Sequence, residues 1–178
     1  MTRHPGFTLV DLLTVIAVAT VLAGIAIPAF SRSLAANQRI AATNALLGAV
    51  QYARAEAIQR GREVVLCPSL TGERCVPGVT DWVGGYLVFV DDPPGPPYQL
   101  TDSRLRLRSH RWPARIQISA NREQFVFRPL ARRSTNGTFQ LCHPHPGVLP
   151  RALIVAPTGR PRVSSRLADG GIIACPPP

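Results

Sequence analysis

From Leu12 to Ser31 the chain runs for 20 residues without a formal charge. Wound as an α-helix rising about 1.5 Å per residue, such a stretch spans the roughly 30 Å hydrocarbon core of a bilayer. One carboxylate, Asp11, stands at its N-terminal edge, where an unpaired acid is costly in lipid unless it sits at headgroup level. A cleaved secretory signal is the alternative, with Ser33-Leu34-Ala35 as a small-x-small site that would leave Ala36 at the new terminus. Signal h-regions, however, run only about 7–15 residues and rarely begin on an acid. The reading adopted is a membrane helix. Arg3 before it follows the positive-inside tendency, which places the body of the protein on the far side of the membrane.

At 178 residues the chain has room, beyond the apolar stretch, for one domain with a sizeable core and little else. Leu46, Val50, Ala53 and Ala57 recur at helical spacing, with Arg39, Gln51, Arg54 and Arg60 off that stripe, and Gly61 is a natural stop. The pattern predicts one nearly continuous helix from about Thr8 to Arg60, interrupted by a kink or local melting at Pro28. Short apolar runs punctuated by Gly and Pro follow at 64–67, 86–90, 105–109, 115–119, 124–128, 138–142, 152–156 and 172–175, and predict a β-rich body. DDPPGPP (91–97) reads as a loop.

Four cysteines suit an oxidising compartment. Cys67 and Cys75 bracket the short loop CPSLTGERC, while Cys142 ends GTFQLC and Cys175 ends GGIIAC. Pairing by neighbourhood joins Cys67 to Cys75 and Cys142 to Cys175, one of three connectivities that four cysteines allow. A zinc site is the competing reading, but structural zinc usually takes cysteines about two to four residues apart.

The string GFTLVDLLTVIAV resembles the class III signal of type IV pilins and type II secretion pseudopilins. The resemblance implies a leader (1–6) cut by a prepilin peptidase between Gly6 and Phe7, methylation of the new terminus, a transmembrane or filament-core helix (7–31) and a body (32–178). It also implies that Asp11, standing where the family carries Glu, pairs with the amino terminus of a neighbouring subunit as the filament assembles. ARAEAIQRGREVVLCPS, CVPGVTDWVGGYLVFVDD, NGTFQLC and LIVAPTGRPRV narrow the likeness to the FimT/GspH-like minor pilins. The fold so implied is α+β, a long N-terminal helix packed on two small antiparallel sheets. The implied partners are other pilin subunits, the prepilin peptidase and the inner membrane, with the body in the periplasm before assembly and on a cell-surface pilus after it.

No catalytic constellation is visible: there is no Gly-x-Ser-x-Gly, His-Glu-x-x-His or P-loop. His143 and His145 in CHPHP are a weak metal pair, since Cys142 is better explained by a disulfide and no carboxylate is near in sequence. The expectation is a non-enzyme with no metal and no cofactor.

The charge points elsewhere. All 20 basic residues are arginines, against 10 acids, for a formal net charge of +10. Between Arg104 and Arg166 there are 13 arginines and one acid, Glu123. Such a surface favours polyanions or anionic membrane. The densest group is TGRPRVSSR (158–166). Thr158-Gly159 reads as a turn, and Arg160 and Arg162 project to one side if the chain beyond Pro161 is extended. Two guanidinium forks, with Arg166 and the hydroxyls of Ser164 and Ser165 near, match successive phosphates. The Gly-Arg-x-Arg string also resembles a C-terminal motif of FimT-like pilins that is associated with DNA binding in natural transformation. The expected DNA site is therefore Gly159, Arg160, Arg162 and Arg166, assisted by Arg132, Arg133 and Arg151. The competing reading is a basic edge hairpin kept charged against sheet-to-sheet aggregation.

Overall fold

The computed structural model describes residues 8–113, 115–129 and 133–176. The expected cut between Gly6 and Phe7, Arg3, and Arg132 of the expected DNA site lie outside the described residues. Among the described residues one α-helix, α1 (Leu9–Arg60), is followed by eight strands, with a short 3-10 turn (Ser103–Leu105) before the third: β1 (Val64–Pro68), β2 (Gly85–Val90), β3 (Arg106–Arg111), β4 (Gln117–Ala120), β5 (Phe125–Phe127), β6 (Gly137–Cys142), β7 (Arg151–Val155) and β8 (Pro161–Ser164).

α1 begins at a reciprocal cap. The Thr8 hydroxyl accepts from the Asp11 N–H, and the Asp11 carboxylate accepts from the Thr8 N–H at 3.0 Å. The T-x-x-D spacing is a capping box with Asp in the usual Glu position. Gly61, at φ +64°, closes the helix. The local melting expected at Pro28 is not seen, and helix runs unbroken on both sides of it. The ring removes a single N–H donor, and Ser31 Oγ adds a bond to the Pro28 carbonyl at 3.0 Å.

The helix has two halves of different character. Its residues from Leu9 to Leu34 are all exposed, while Ala42, Leu46, Ala49, Val50, Ala53 and Ala57 are buried. That second stripe packs on two antiparallel sheets, ordered β3-β2-β1-β5 and β4-β6-β7-β8. Val64, Leu66, Tyr86, Val88, Phe125 and Phe127 meet it from the first sheet, and Ile118, Phe139, Leu141, Leu153 and Val155 from the second. Alanines on the helix let both sheets approach closely, and the aromatic residues opposite fill the space. Trp82, fully buried in the β1–β2 connection, ties the sheets together: its backbone N–H donates to the Ile118 carbonyl at 2.8 Å, and its ring meets Phe139 edge-on at 4.9 Å.

Each sheet has a small second cluster on its outer face. Val65, Cys67, Leu87, Phe89 and Val126 of the first are covered by Tyr98 and Leu100, and Cys142, Ala152 and Ile154 of the second by Leu167 and Ile173 of the C-terminal tail. Both expected disulfides form, Cys67–Cys75 and Cys142–Cys175. The run 172–175 is not a strand, contrary to expectation, and Pro161–Ser164 is one instead. β8 already occupies the open edge of β7, so the tail lies across the sheet face, with Ile173 buried there and Cys175 bonded down to Cys142.

Candidate nucleic-acid interface

β7 and β8 form a hairpin whose turn is made by Ala156-Pro157-Thr158-Gly159. The Gly159 N–H donates to the Ala156 carbonyl at 2.8 Å, and the Ala156 N–H to the Arg160 carbonyl at 3.0 Å. Gly159 has φ +74°, and a Cβ there would stand 3.1 Å from Arg54 Cδ and 3.3 Å from Phe127 Cδ1. Only glycine meets both demands without strain. Gly159 is buried, so its part in the expected site is to shape the turn that presents Arg160.

Arg160 and Arg162 are exposed. Arg162 pairs in register with Ile154, whose side chain lies on the outer face of the second sheet. Alternation then puts Arg162 on that outer face, and Arg160, two residues earlier, on the same side at the mouth of the turn. Among the described residues the ion pairs are Arg60–Glu56, Arg62–Asp92 and Arg128–Glu63, so neither Arg160 nor Arg162 has an acid partner. Their guanidinium donors are left to solvent or to a ligand.

The other expected members divide. Arg133 is exposed and comes to the turn, because the neighbouring Ser134 N–H donates to the Pro157 carbonyl at 2.9 Å. Arg166 is also exposed but gives one Nη1 donor to the Gly170 carbonyl at 3.2 Å, which fixes the start of the tail. Arg151 does not join the cluster. It begins β7 at the opposite end of the hairpin, on the parity of Leu153 and Val155, which face the helix, and its charge acts on Arg39. Burial first, and then Arg151, hold the Arg39 pKa below its ordinary value.

Two features of the turn went unseen in the sequence. Arg54 of α1 donates from Nε to the Thr158 carbonyl at 3.0 Å, and Arg128 from Nη1 to the Arg133 carbonyl at 3.0 Å. Arg54 stands 104 residues before Thr158, and no local signal joins them. Arg39 and Arg54 are 15 positions apart on one helix, about 22 Å along its axis. The turn therefore sits at the end of the body far from the apolar half of α1.

Among curated proteins, no sequence matches this chain. The sequence profile described as type II transport protein GspH matches residues 42–159, ending at Gly159 and just short of Arg160. Two crystal structures of the type IV minor pilin FimU from Pseudomonas aeruginosa (strain PAO1) share the architecture. One superposes with a TM-score of 0.51 at 19% identity, covering 73% of this chain and 97% of that one. The other does so with a TM-score of 0.56 at 20% identity, covering 75% and 95%. What they have in common is the fold, a long helix packed on two antiparallel sheets.

Proposed function

We propose that this chain, which belongs to the GspH family of type II transport proteins, is a non-catalytic minor pilin whose body binds DNA without sequence preference and supports DNA uptake. In this reading the leader is cut between Gly6 and Phe7, the apolar half of α1 anchors the chain in the inner membrane and then in the filament, and Asp11 meets the new amino terminus of a neighbour. Before assembly the body lies in the periplasm, and afterwards it is displayed on the pilus.

The observation that carries the DNA reading is the pair Arg160 and Arg162. Both are exposed, lack an acid partner among the described residues, and share one side of a hairpin at the end of the body remote from the apolar helix, with Arg133 beside the turn. Phosphate contacts of this kind supply affinity without base identity. A second reading, a structural subunit that primes a pilus or a type II secretion filament, is favoured by the GspH match itself, which stops before both arginines.

Fluorescence anisotropy on a chain truncated to begin at Ala36 separates the two. An interface touching about three to five phosphates predicts that log affinity for duplex DNA falls with log salt at a slope of about −3 to −4.5. Arg160→Ala with Arg162→Ala should flatten that slope by about two and weaken binding strongly. Arg54 is unsuitable as a control because it supports the turn, and Arg62 because it pairs with Asp92. Arg104→Ala with Arg106→Ala is suitable: both are exposed, and they lie at or beside β3, the edge of the first sheet opposite β5. Equal losses from the two double variants would mean diffuse charge, and no binding by the parent chain would leave the structural reading standing.

A further inference from the structure

At the other end of the body, the loop after β6 folds back over α1. A cleft of about 480 Å³ opens there, lined by Ser31, Leu34, Gln38, Arg115, His143 and His145 among others. Arg32 lies against the same loop, where its Nε would stand 3.3 Å from a Cβ placed on Gly147. Hydrogen bonds set the donors. His143 Nδ1 accepts from the His145 N–H at 3.0 Å, so the imidazole proton lies on Nε2, which meets Gln38 Oε1 at 3.1 Å. Gln38 thereby spends its oxygen and keeps its amide N–H groups as donors. His145 Nδ1 lies 2.7 Å from the Pro146 carbonyl, which leaves Nε2 towards Ser31 Oγ at 3.4 Å.

None of the residues lining the cleft is acidic. α1 carries no Asp or Glu between Asp11 and Glu56, and the chain carries none between Glu123 and Asp169. The cleft is therefore a concave site of positive potential, with the Arg115 guanidinium and the Gln38 amide as its donors and no acidic side chain in its lining. Its depth along the helix matters as much. The apolar run ends at Phe30, and Ser31, Leu34 and Gln38 occupy the next two turns, so a helix spanning a bilayer to Phe30 holds this cleft at headgroup level.

We propose that this cleft binds the phosphate of an anionic glycerophospholipid headgroup, with Arg115 of its lining as the charged donor, the Gln38 amide beside it, and Arg32 adding positive charge from against the same loop. The proposal rests on the membrane-anchored reading of α1 given above. A bound headgroup would hold the body at a fixed height and orientation on the bilayer surface until the chain leaves for a filament. Charge-assisted hydrogen bonds from arginine to phosphate are the strong, geometrically selective kind.

The test uses the full chain, extracted in detergent with equal amounts of phosphatidylglycerol and phosphatidylcholine and examined by native mass spectrometry. The expected result is retention of phosphatidylglycerol over phosphatidylcholine by about fivefold or more, because both lipids offer the phosphate but phosphatidylcholine brings a trimethylammonium cation to a site of like charge. Arg115→Gln should bring the ratio near unity. Arg115 is exposed and makes no hydrogen bond among the described residues, so the fold should tolerate its loss, and Arg32→Gln provides a second variant with the same expected outcome. Arg104→Gln with Arg106→Gln should leave the ratio unchanged. Equal retention of the two lipids, or an equal effect of the remote pair, overturns the proposal. Displacement of the lipid by inorganic phosphate at about 10 mM, a concentration suited to a millimolar free-anion site, would reassign the cleft to free phosphate and overturn the lipid source. Flotation of the full chain with phosphatidylcholine vesicles reports on the anchor separately. Failure to float sinks the membrane reading, whereas flotation without lipid preference sinks this inference alone.

Discussion

Single residues in this chain carry more than one duty, and Gly159 is the clearest instance. Its positive φ and its contacts with Arg54 and Phe127 fix the turn from which Arg160 projects. Gly159→Ala should cost about 1–2 kcal/mol for the left-handed backbone alone, read as a shift in the urea midpoint of the chain beginning at Ala36. An unchanged midpoint would show that the turn relaxes freely and does not position Arg160. Asp11 is the second instance. Its sequence position argues for a filament contact, yet in the single chain its carboxylate closes the helix cap on Thr8. Before a neighbour arrives, the acid thus has a local partner that lowers the cost of holding it near lipid.

Among the elements, the C-terminal tail depends on one covalent tie. The Cys142–Cys175 bridge closes a separation of 33 residues and presses Ile173 onto the outer face of the second sheet. Cys67–Cys75 closes only 8. On loop-closure entropy alone, Cys142→Ser with Cys175→Ser should cost about 3–4 kcal/mol, roughly 1 kcal/mol more than the matching change at Cys67 and Cys75. Chemical denaturation of the two double variants checks the order, and the reverse order would mean that the tail is held by packing instead. The same loss should leave Arg160 and Arg162 in place, since β8 is held by its ladder to β7, while Arg166 loses its fixed setting beside Gly170. On the proposed DNA-binding reading, affinity should therefore fall far less than in the Arg160, Arg162 double variant.

At the scale of the whole molecule, charge and pH meet at the loop over α1. Burial, then His145 and Arg115, hold the His143 pKa below its ordinary value. The unfolded chain therefore takes up a proton near pH 6.5 that the folded chain refuses. Stability from this group is full above about pH 6.5 and is lost as pH falls towards the lowered folded value. Asp91 works the other way, because burial raises its pKa and a proton there favours the folded state. Its effect belongs to the carboxylate range, so urea unfolding of the chain from Ala36 between about pH 5.5 and 7.5 isolates the histidine. His143→Gln should flatten the slope in that window, and an unaltered slope would place the titration elsewhere.

The helix, the stripe it buries, most of the strands and both disulfides were legible in the sequence because each is written in local periodicity, in turn residues or in short spacings. Leu46, Val50, Ala53 and Ala57 mark their face at helical intervals, and GTFQLC and ALIVA read as strands without any partner in view. The basic excess was equally plain, and Arg160 and Arg162 stand out in it as a pair two residues apart. What the sequence by itself left undecided concerned where edges and ends meet. IIAC has the composition of a strand, but β8 had taken the free edge of β7, and only packing sends that run across the sheet face. Arg151 looked like one more member of a basic cluster, yet the polarity of β7 carries it to the end near Arg39, on the opposite parity from Arg162. Arg54 looked like a remote helix arginine and instead supports the turn. Contacts between residues a hundred positions apart follow from how two sheets close on one helix, and no periodicity in either segment encodes them.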